Sequence, residues 1–296
     1  MSQLFKRNLF AQVGDLEEAV EIPNTFKIGL SIKKLISSTS SEGNVTFFNL
    51  SDDTRESIRD KGKRIRVFAG YGNDVALLHD GDILRTAQDD EGADRKTIIY
   101  LAGRSQPVNN AIFTKSYQNS VSIRQIIADA IPTFNLTFNQ AFLSLIPANA
   151  TLPEFSFHGK TNDVINQLLS PLNLQWFERN SEVLFSDKNK SGLSTTQEAI
   201  VLSSNSGLIK SAVQTDKGVN ATCLLNPRLI VGGLVNIKSD VVQNASFNTF
   251  QVKKIALNTQ GFYKIIQATY EGDNWDGKFQ ALLQCVPFNQ SQESTS

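Results

Sequence analysis

Residues 24–71 read NTFKIGLSIKKLISSTSSEGNVTFFNLSDDTRESIRDKGKRIRVFAGY. Phe26, Ile28, Leu30 and Ile32 alternate with small or polar residues, the period-2 pattern of a strand with one buried face. Ser37 to Asn44 is a polar turn, and Val45–Leu50 is a second strand, so a hairpin is predicted. Ser51 can cap a helix whose first turn holds Thr54 and Glu56 and which ends near Lys61-Gly62. Ile65–Tyr71 returns as a strand and turns at Gly72-Asn73. Downstream, Leu77–Leu84 carries an Asp80-Gly81 turn signal, and Thr97–Gly103 is a long apolar strand. Short strands, regular turns and one small helix predict a β-barrel or strongly curved sheet.

The pattern changes after residue 115. Val121–Ile131 has apolar residues at helical spacing and is stopped by Pro132. Phe155–Gly159 is a short strand, after which Thr161 caps a helix from Asn162 to about Leu169. Its buried face is Val164, Ile165, Leu168 and Leu169. Leu174–Glu178 and Glu182–Ser186 flank Arg179-Asn180-Ser181 as a hairpin packed on that helix. Asp187 to Thr196 is a polar linker. Strands follow at Val219–Leu225, Leu234–Ser239, Phe250–Leu257, Phe262–Tyr270 and Phe279–Val286, and the tail after Pro287 is polar. The division is therefore 1–115, an all-β unit with one helix; 116–198, a small α+β module and linker; and 199–296, a second all-β unit.

The charge balance follows the same division. The chain has 29 basic and 29 acidic residues among 296, a formal net charge of zero. Residues 1–115 hold 16 of each sign, 116–198 hold 5 basic and 7 acidic, and 199–296 hold 8 basic and 6 acidic. Neutrality argues against a protein that holds nucleic acid by bulk positive charge. Asp15, Glu17, Glu18 and Glu21 form an acidic patch. Arg55, Arg59, Lys61, Lys63, Arg64 and Arg66 form a basic one. One reading is a solvated surface with local pairing. The sharper reading makes Asp15, Glu17, Glu18, Arg59, Lys61, Lys63 and Arg64 subunit contacts that orient neighbours in a ring.

Chemistry-bearing motifs are sparse. Cys223 and Cys285 are too few for a disulfide framework or a four-cysteine zinc site, and read as reduced, partly buried thiols. His79 and His158 lack ligand-spaced partners and read as turn or surface residues. The loop Gly272–Gly277 fails the register of a calcium loop, because the twelfth position is Leu283. No nucleophile elbow, P-loop or dinucleotide fingerprint is present. No catalytic, cofactor or metal residues are assigned. Asp52/Asp53 and Asp89/Asp90 are explained as helix-start or turn carboxylates rather than a hydrolytic pair. The N-terminus has no signal-peptide core and no stretch has the ~20 apolar residues of a membrane helix, so a soluble product of a reducing cytoplasm is expected, without membrane insertion.

Several stretches read in order carry a resemblance. They are Phe26–Ile32 leading to Asn44–Arg55 and the strand ending at Val67–Tyr71; Phe157-His158-Gly159-Lys160-Thr161 through Leu168-Leu169 to Trp176-Phe177 and Val183–Phe185; Leu224–Leu229 through Gly232–Ile237; and Tyr270–Asn274. Together they cover most of residues 24–286, and the chain resembles baseplate hub proteins of contractile bacteriophage tails. Type VI secretion spike proteins share part of this architecture. The resemblance implies a mainly β fold with a small α+β module and two tail-tube-like β-barrel domains. It implies a homotrimer forming a quasi-sixfold ring in the virion tail baseplate, assembled in the host cytoplasm. The implied partners are a tail-tube or tube-initiator protein, a spike protein, the tape-measure protein and DNA in transit. No segment is long or helical enough for a lysozyme-like insertion. Two other readings compete: a carbohydrate- or receptor-binding tail module using Trp176, Phe177, Tyr263 and Trp275, and a cell-wall hydrolase.

Overall fold

Alternation of apolar and polar residues over most of the chain builds one large sheet. The computed structural model describes residues 6–15, 18–36, 41–188, 198–215, 218–238, 243–244 and 261–288. The predicted strand Phe250–Leu257, the 37–40 part of the hairpin turn, the tail beyond residue 288 and nearly all of the polar linker lie outside the described residues.

The first segment contains β1 (Arg7–Val13), β2 (Val20–Ile22), β3 (Ile28–Leu35), β4 (Glu42–Phe48), α1 (Asp52–Lys61), β5 (Arg64–Tyr71), β6 (Asp74–Glu91) and β7 (Asp94–Ala102). The middle contains α2 (Ser105–Asn110), β8 (Ile112–Tyr117), β9 (Val121–Ser122), α3 (Ile123–Ala130), β10 (Thr137–Phe138), β11 (Thr151–Leu152), β12 (Phe155–Lys160), α4 (Thr161–Leu169), β13 (Leu174–Arg179) and β14 (Glu182–Asp187). The last contains β15 (Ile200–Leu202), β16 (Val213–Gln214), β17 (Val219–Leu224), β18 (Leu234–Ile237), β19 (Gln243–Asn244), β20 (Phe262–Asp273) and β21 (Phe279–Pro287).

Strand order in the main sheet is β19-β16-β17-β21-β20-β3-β4-β7-β6-β5-β1-β2, with β18 also on β20 and β15 on β18. The join lies between β20 and β3, paired from Gln267↔Leu35 to Asp273↔Gly29. Strands distant in sequence thus share one sheet and one core. Leu9, Val45, Phe47 and Ile99 pack in the same cluster as Cys223, Tyr270, Phe279 and Leu283. Full burial of each such side chain stabilises by about 1.5–3 kcal/mol. The middle segment has its own core, running from Val108 to Phe185 and including Ile126, Phe134, Val164, Ile165 and Trp176.

The hairpin and helix of residues 24–71 form as predicted. In α1, the Thr54 N–H donates to Ser51 Oγ at 3.2 Å, and Asp52 and Asp53 occupy the first turn, where the helix dipole favours them. The Asn180-Ser181 turn has φ of 50° and 68°, the two successive positive values of a tight hairpin turn.

Two expectations are corrected. Asp80-Gly81 is not a turn: β6 runs unbroken for 18 residues, pairing with β5 over its first half and β7 over its second. Glycine is needed there because a Cβ at Gly81 would sit 1.9 Å from the Ala102 carbonyl oxygen. Thr161 is not a cap but a fully buried first helical residue, its hydroxyl 2.6 Å from that of Thr133. The α3 helix does stop at Pro132: it ends at Ala130, and the chain tightens into a 3-10 turn (Ile131–Phe134) that closes at left-handed Asn135.

Candidate functional site

The alternation that buries one sheet face leaves the other polar. Register carries one row of side chains across seven strands: Leu224, Gln280, Glu271, Ser31, Asn44, Tyr100 and Arg85, on β17, β21, β20, β3, β4, β7 and β6. A second row holds Thr222, Leu282, Thr269, Lys33 and Glu42, and a third Asn220, Gln284 and Gln267. The charges on these rows cancel, Lys33 and Arg85 against Glu42 and Glu271. The Arg85 guanidinium lies 3.8 Å from the centre of the Tyr100 ring, and Glu271 accepts from Gln280 at 2.7 Å. The result is a broad face of amides and hydroxyls with no net charge.

The predicted contact residues gather at one end of the first segment. Asp15 and Glu18 are exposed beyond β1, and Lys63 is exposed before β5. Pairing of Val13 with Ile65, and of the Gly14 N–H with the Arg64 carbonyl at 2.9 Å, sets the acidic turn beside the basic run within one chain. Arg59 is exposed on α1 and donates to Glu56 at 3.1 Å. Arg64 turns inward: its guanidinium grips Asp80 at 2.7 and 2.5 Å and reaches Ser181 at 3.1 Å. Its charge is paired within the chain. Glu17 and the Lys61 side chain lie outside the described residues.

Arg64 belongs to a buried polar seam that sequence reading missed. The tip of the β13–β14 hairpin docks into the sheet, and Ser181 Oγ donates to Asp80 at 2.8 Å. Lys34 Nζ donates to the Leu78 carbonyl at 2.6 Å and to Asn180 Oδ1 at 2.9 Å. Arg104 pairs with Asp82 at 3.2 Å, and Glu178 accepts from the N–H groups of Arg104 (3.2 Å) and Ser181 (2.8 Å). Lys264 donates to Ser186 and to the Asp187 carbonyl, both at 2.8 Å. Phe177 and Leu184, partners across the hairpin, are buried alongside. Burial pushes Lys34 and Lys264 each down to about 8, with Glu178 and Asp187 respectively opposing, and raises the Glu178 carboxyl. Burial alone would raise Asp80 too, but the hydrogen bonds from Arg64 and Ser181 hold it below the usual carboxylate range. One signal was legible: Lys34 continues the inward register of Ile28, Leu30 and Ile32.

A family model described as Baseplate hub gp41 matches residues 10–260. The chain belongs to the baseplate hub gp41 family. A sequence comparison with curated proteins gives no match. In structure the chain resembles the 43 kDa tail protein of prophage MuSo2 from Shewanella oneidensis, with a TM-score of 0.58, 7% identity, and 95% of this chain and 98% of that one covered. A tail protein from Neisseria meningitidis MC58 gives 0.58 at 8% identity, covering 96% and 97%. The E. coli c3393 protein, a component of the type VI secretion system described as similar to T4 tail proteins gp27 and gp5, gives 0.56 at 10% identity, covering 90% and 74%. At these identities the likeness is one of fold.

The other candidate residues resolve by burial. His79 is not a surface residue: it is fully buried on β6, with Nε2 donating to the Ala102 carbonyl at 3.2 Å and Nδ1 without a partner. Burial depresses its imidazole to about 3, helped by nearby Lys34. Its neighbour Asp80 serves Arg64, so the two form no triad. His158 is exposed on β12, next to Thr114 at 2.7 Å. Cys223 and Cys285 are free and fully buried, and burial pushes the Cys223 thiol up to about 12. Of the four aromatics considered for sugar stacking, Trp176, Phe177 and Tyr263 are core residues. Trp275 is 62% exposed on the β20–β21 loop. That loop is pinned by Asn274, which donates to Phe26 O at 2.8 Å and accepts from the Ile28 N–H at 2.8 Å. Among the described residues there is no cluster of His, Cys, Asp and Glu fit for a metal, and no helix is long and apolar enough to cross a membrane.

Proposed function

We propose that this hub protein is a non-enzymatic ring subunit joining a phage tail tube to its central spike. Three copies surround a channel. Residues 1–115 and 199–296 act as two tube-like barrel halves per chain, which gives six quasi-equivalent positions, and the 116–198 module braces them. The observation that carries this reading is the polar sheet face. A face seven strands wide, with amides, hydroxyls and cancelling charges, suits a wall past which DNA and tape-measure protein slide without sticking: fixed positive charge would hold a polyanion and fixed negative charge would oppose its entry. The β3–β20 join supports the pairing of halves, since it makes their strands one surface. The buried seam supports the bracing role, because an ion-paired, hydrogen-bonded junction fixes one orientation between two separately cored bodies.

An image of the assembled particle at side-chain resolution tests this. Expected are three copies around the tail axis with Ser31, Asn44, Thr269 and Gln280 facing the lumen. A ring in which that face is buried against another protein overturns it.

A further inference from the structure

One edge of the sheet is open, and its surroundings say what fits it. The pairing of β5 with β6 stops at Asp82, followed by one last bond from the Ile83 N–H to the Lys63 carbonyl at 3.0 Å. From Leu84 to Asp89 the other edge of β6 stays paired with β7, while among the described residues no strand lies on the near edge. Leu84 is 57% exposed there, and a cleft of about 420 Å³ opens between this edge and α1, with Asp52, Arg55, Glu56 and Arg59 on its helix side. An unpaired edge beside a helix is the geometry that accepts an added strand.

A second open edge exists on the same chain. β8 and β12 pair over all six residues, Ile112↔Lys160 to Tyr117↔Phe155, and no third strand joins them among the described residues. A two-stranded ribbon is marginal alone. One of its faces, Ile112, Thr114 and Ser116 with Ser156, His158 and Lys160, is wholly exposed, Ile112 by 52%. Residues 84–91 of β6 carry Arg85 against Asp89, Asp90 and Glu91, whereas β8 and β12 carry Lys115 and Lys160 and no carboxylate. Lys115 is occupied by Asp129 at 2.6 Å, leaving Lys160 to face outward.

We infer that β12 of one copy adds to the β6 edge of the next, in parallel, with Lys160 beside Asp89, His158 beside Ala87 and Ser156 beside Arg85. An antiparallel register would set Lys160 against Arg85, so the charges select the parallel one. The two edges are different surfaces of one chain, so the contact is head-to-tail, and it closes into the proposed ring when neighbours are related by a third of a turn. In this register the ribbon's exposed polar face continues the polar face of the main sheet, on which Arg85 and Ala87 lie. This contact rests on the ring reading above and names where its subunits meet.

The test uses the full chain carrying Ala87→Cys and His158→Cys, mixed with the tube and spike proteins and oxidised. Both native thiols are buried and stay out of the reaction. Paired neighbours place the new sulfurs within disulfide reach, so non-reducing electrophoresis should show a covalent trimer, while either single variant stays monomeric on the gel. Asp89→Lys should raise the concentration for half-assembly about tenfold, and Lys160→Asp in the same chain should restore it. Rings that assemble normally without this cross-link, or that ignore the charge reversal, overturn the contact alone. Wild-type chains that never assemble with both partners present overturn the ring and this contact with it.

Discussion

His79 offers a sharp test of the packing where β6 crosses from one neighbour to the next. Its ring is fully buried, donates once to the Ala102 carbonyl and has no second partner, so a second proton would put an unpaired charge into the core. The imidazole is held at about 3 in the fold, against an ordinary value near 6.5 when unfolded. Between those values the unfolded chain binds the extra proton and the folded chain does not. Stability therefore falls as pH drops through about 6.5, by roughly 2 kcal/mol between pH 7 and pH 5 for this group alone. His79→Gln keeps a donor for Ala102 and cannot titrate. Urea unfolding of both proteins at each pH isolates the effect, since every other group cancels in the difference. Wild type should lose about 2 kcal/mol more than the variant from pH 7 to pH 5. Equal losses would refute the argument that this ring is locked neutral.

Other consequences follow from the seam, the cap and the thiols. Asp80→Ala strands the Arg64 guanidinium in a largely buried site and should cost about 3 kcal/mol by thermal or urea unfolding, more than Arg64→Met combined with Asp80→Leu. Lys34 has a lowered folded value near 8, so its burial cost is greatest below that pH and is relieved as pH rises; wild type should gain about 1 kcal/mol relative to Lys34→Met between pH 7 and pH 9. Ser51→Ala removes the acceptor for the Thr54 N–H and should cost about 1 kcal/mol, with hydrogen exchange rising first in α1. An aromatic disulfide reagent at pH 8 should titrate no thiol in the native protein and both after unfolding.

Local pattern revealed the strands and helices better than it revealed their partners. Ile28, Leu30 and Ile32 show their buried face in sequence because strand side chains alternate, and Ser51 shows its cap because the acceptor sits three residues from its donor. The β3–β20 join spans more than 230 residues, and no local signal marks it. The seam was hidden for a related reason. Arg64, Asp80 and Ser181 are each ordinary surface types; the β5–β6 pairing brings Arg64 to Asp80, and the docked hairpin adds Ser181 to them. Arg64 reads in sequence as a contact for a neighbour, and its intrachain partners Asp80 and Ser181 carry no local signal. Asp80-Gly81 misled because this pair usually marks a turn, whereas here glycine answers the close approach of the Ala102 carbonyl. The polar sheet face was implicit in residues such as Ser31, Asn44 and Gln280, but its breadth depends on register across seven strands.

The proposed function requires copies of this chain to close into a three-membered ring. The most direct measurement is the mass of the purified chain by light scattering behind size exclusion, alone and with its tube and spike partners. Three 32.7 kDa chains, about 98 kDa, are expected per ring. A chain that stays at the monomer mass with both partners present, or that enters the complex in a number not divisible by three, would contradict it.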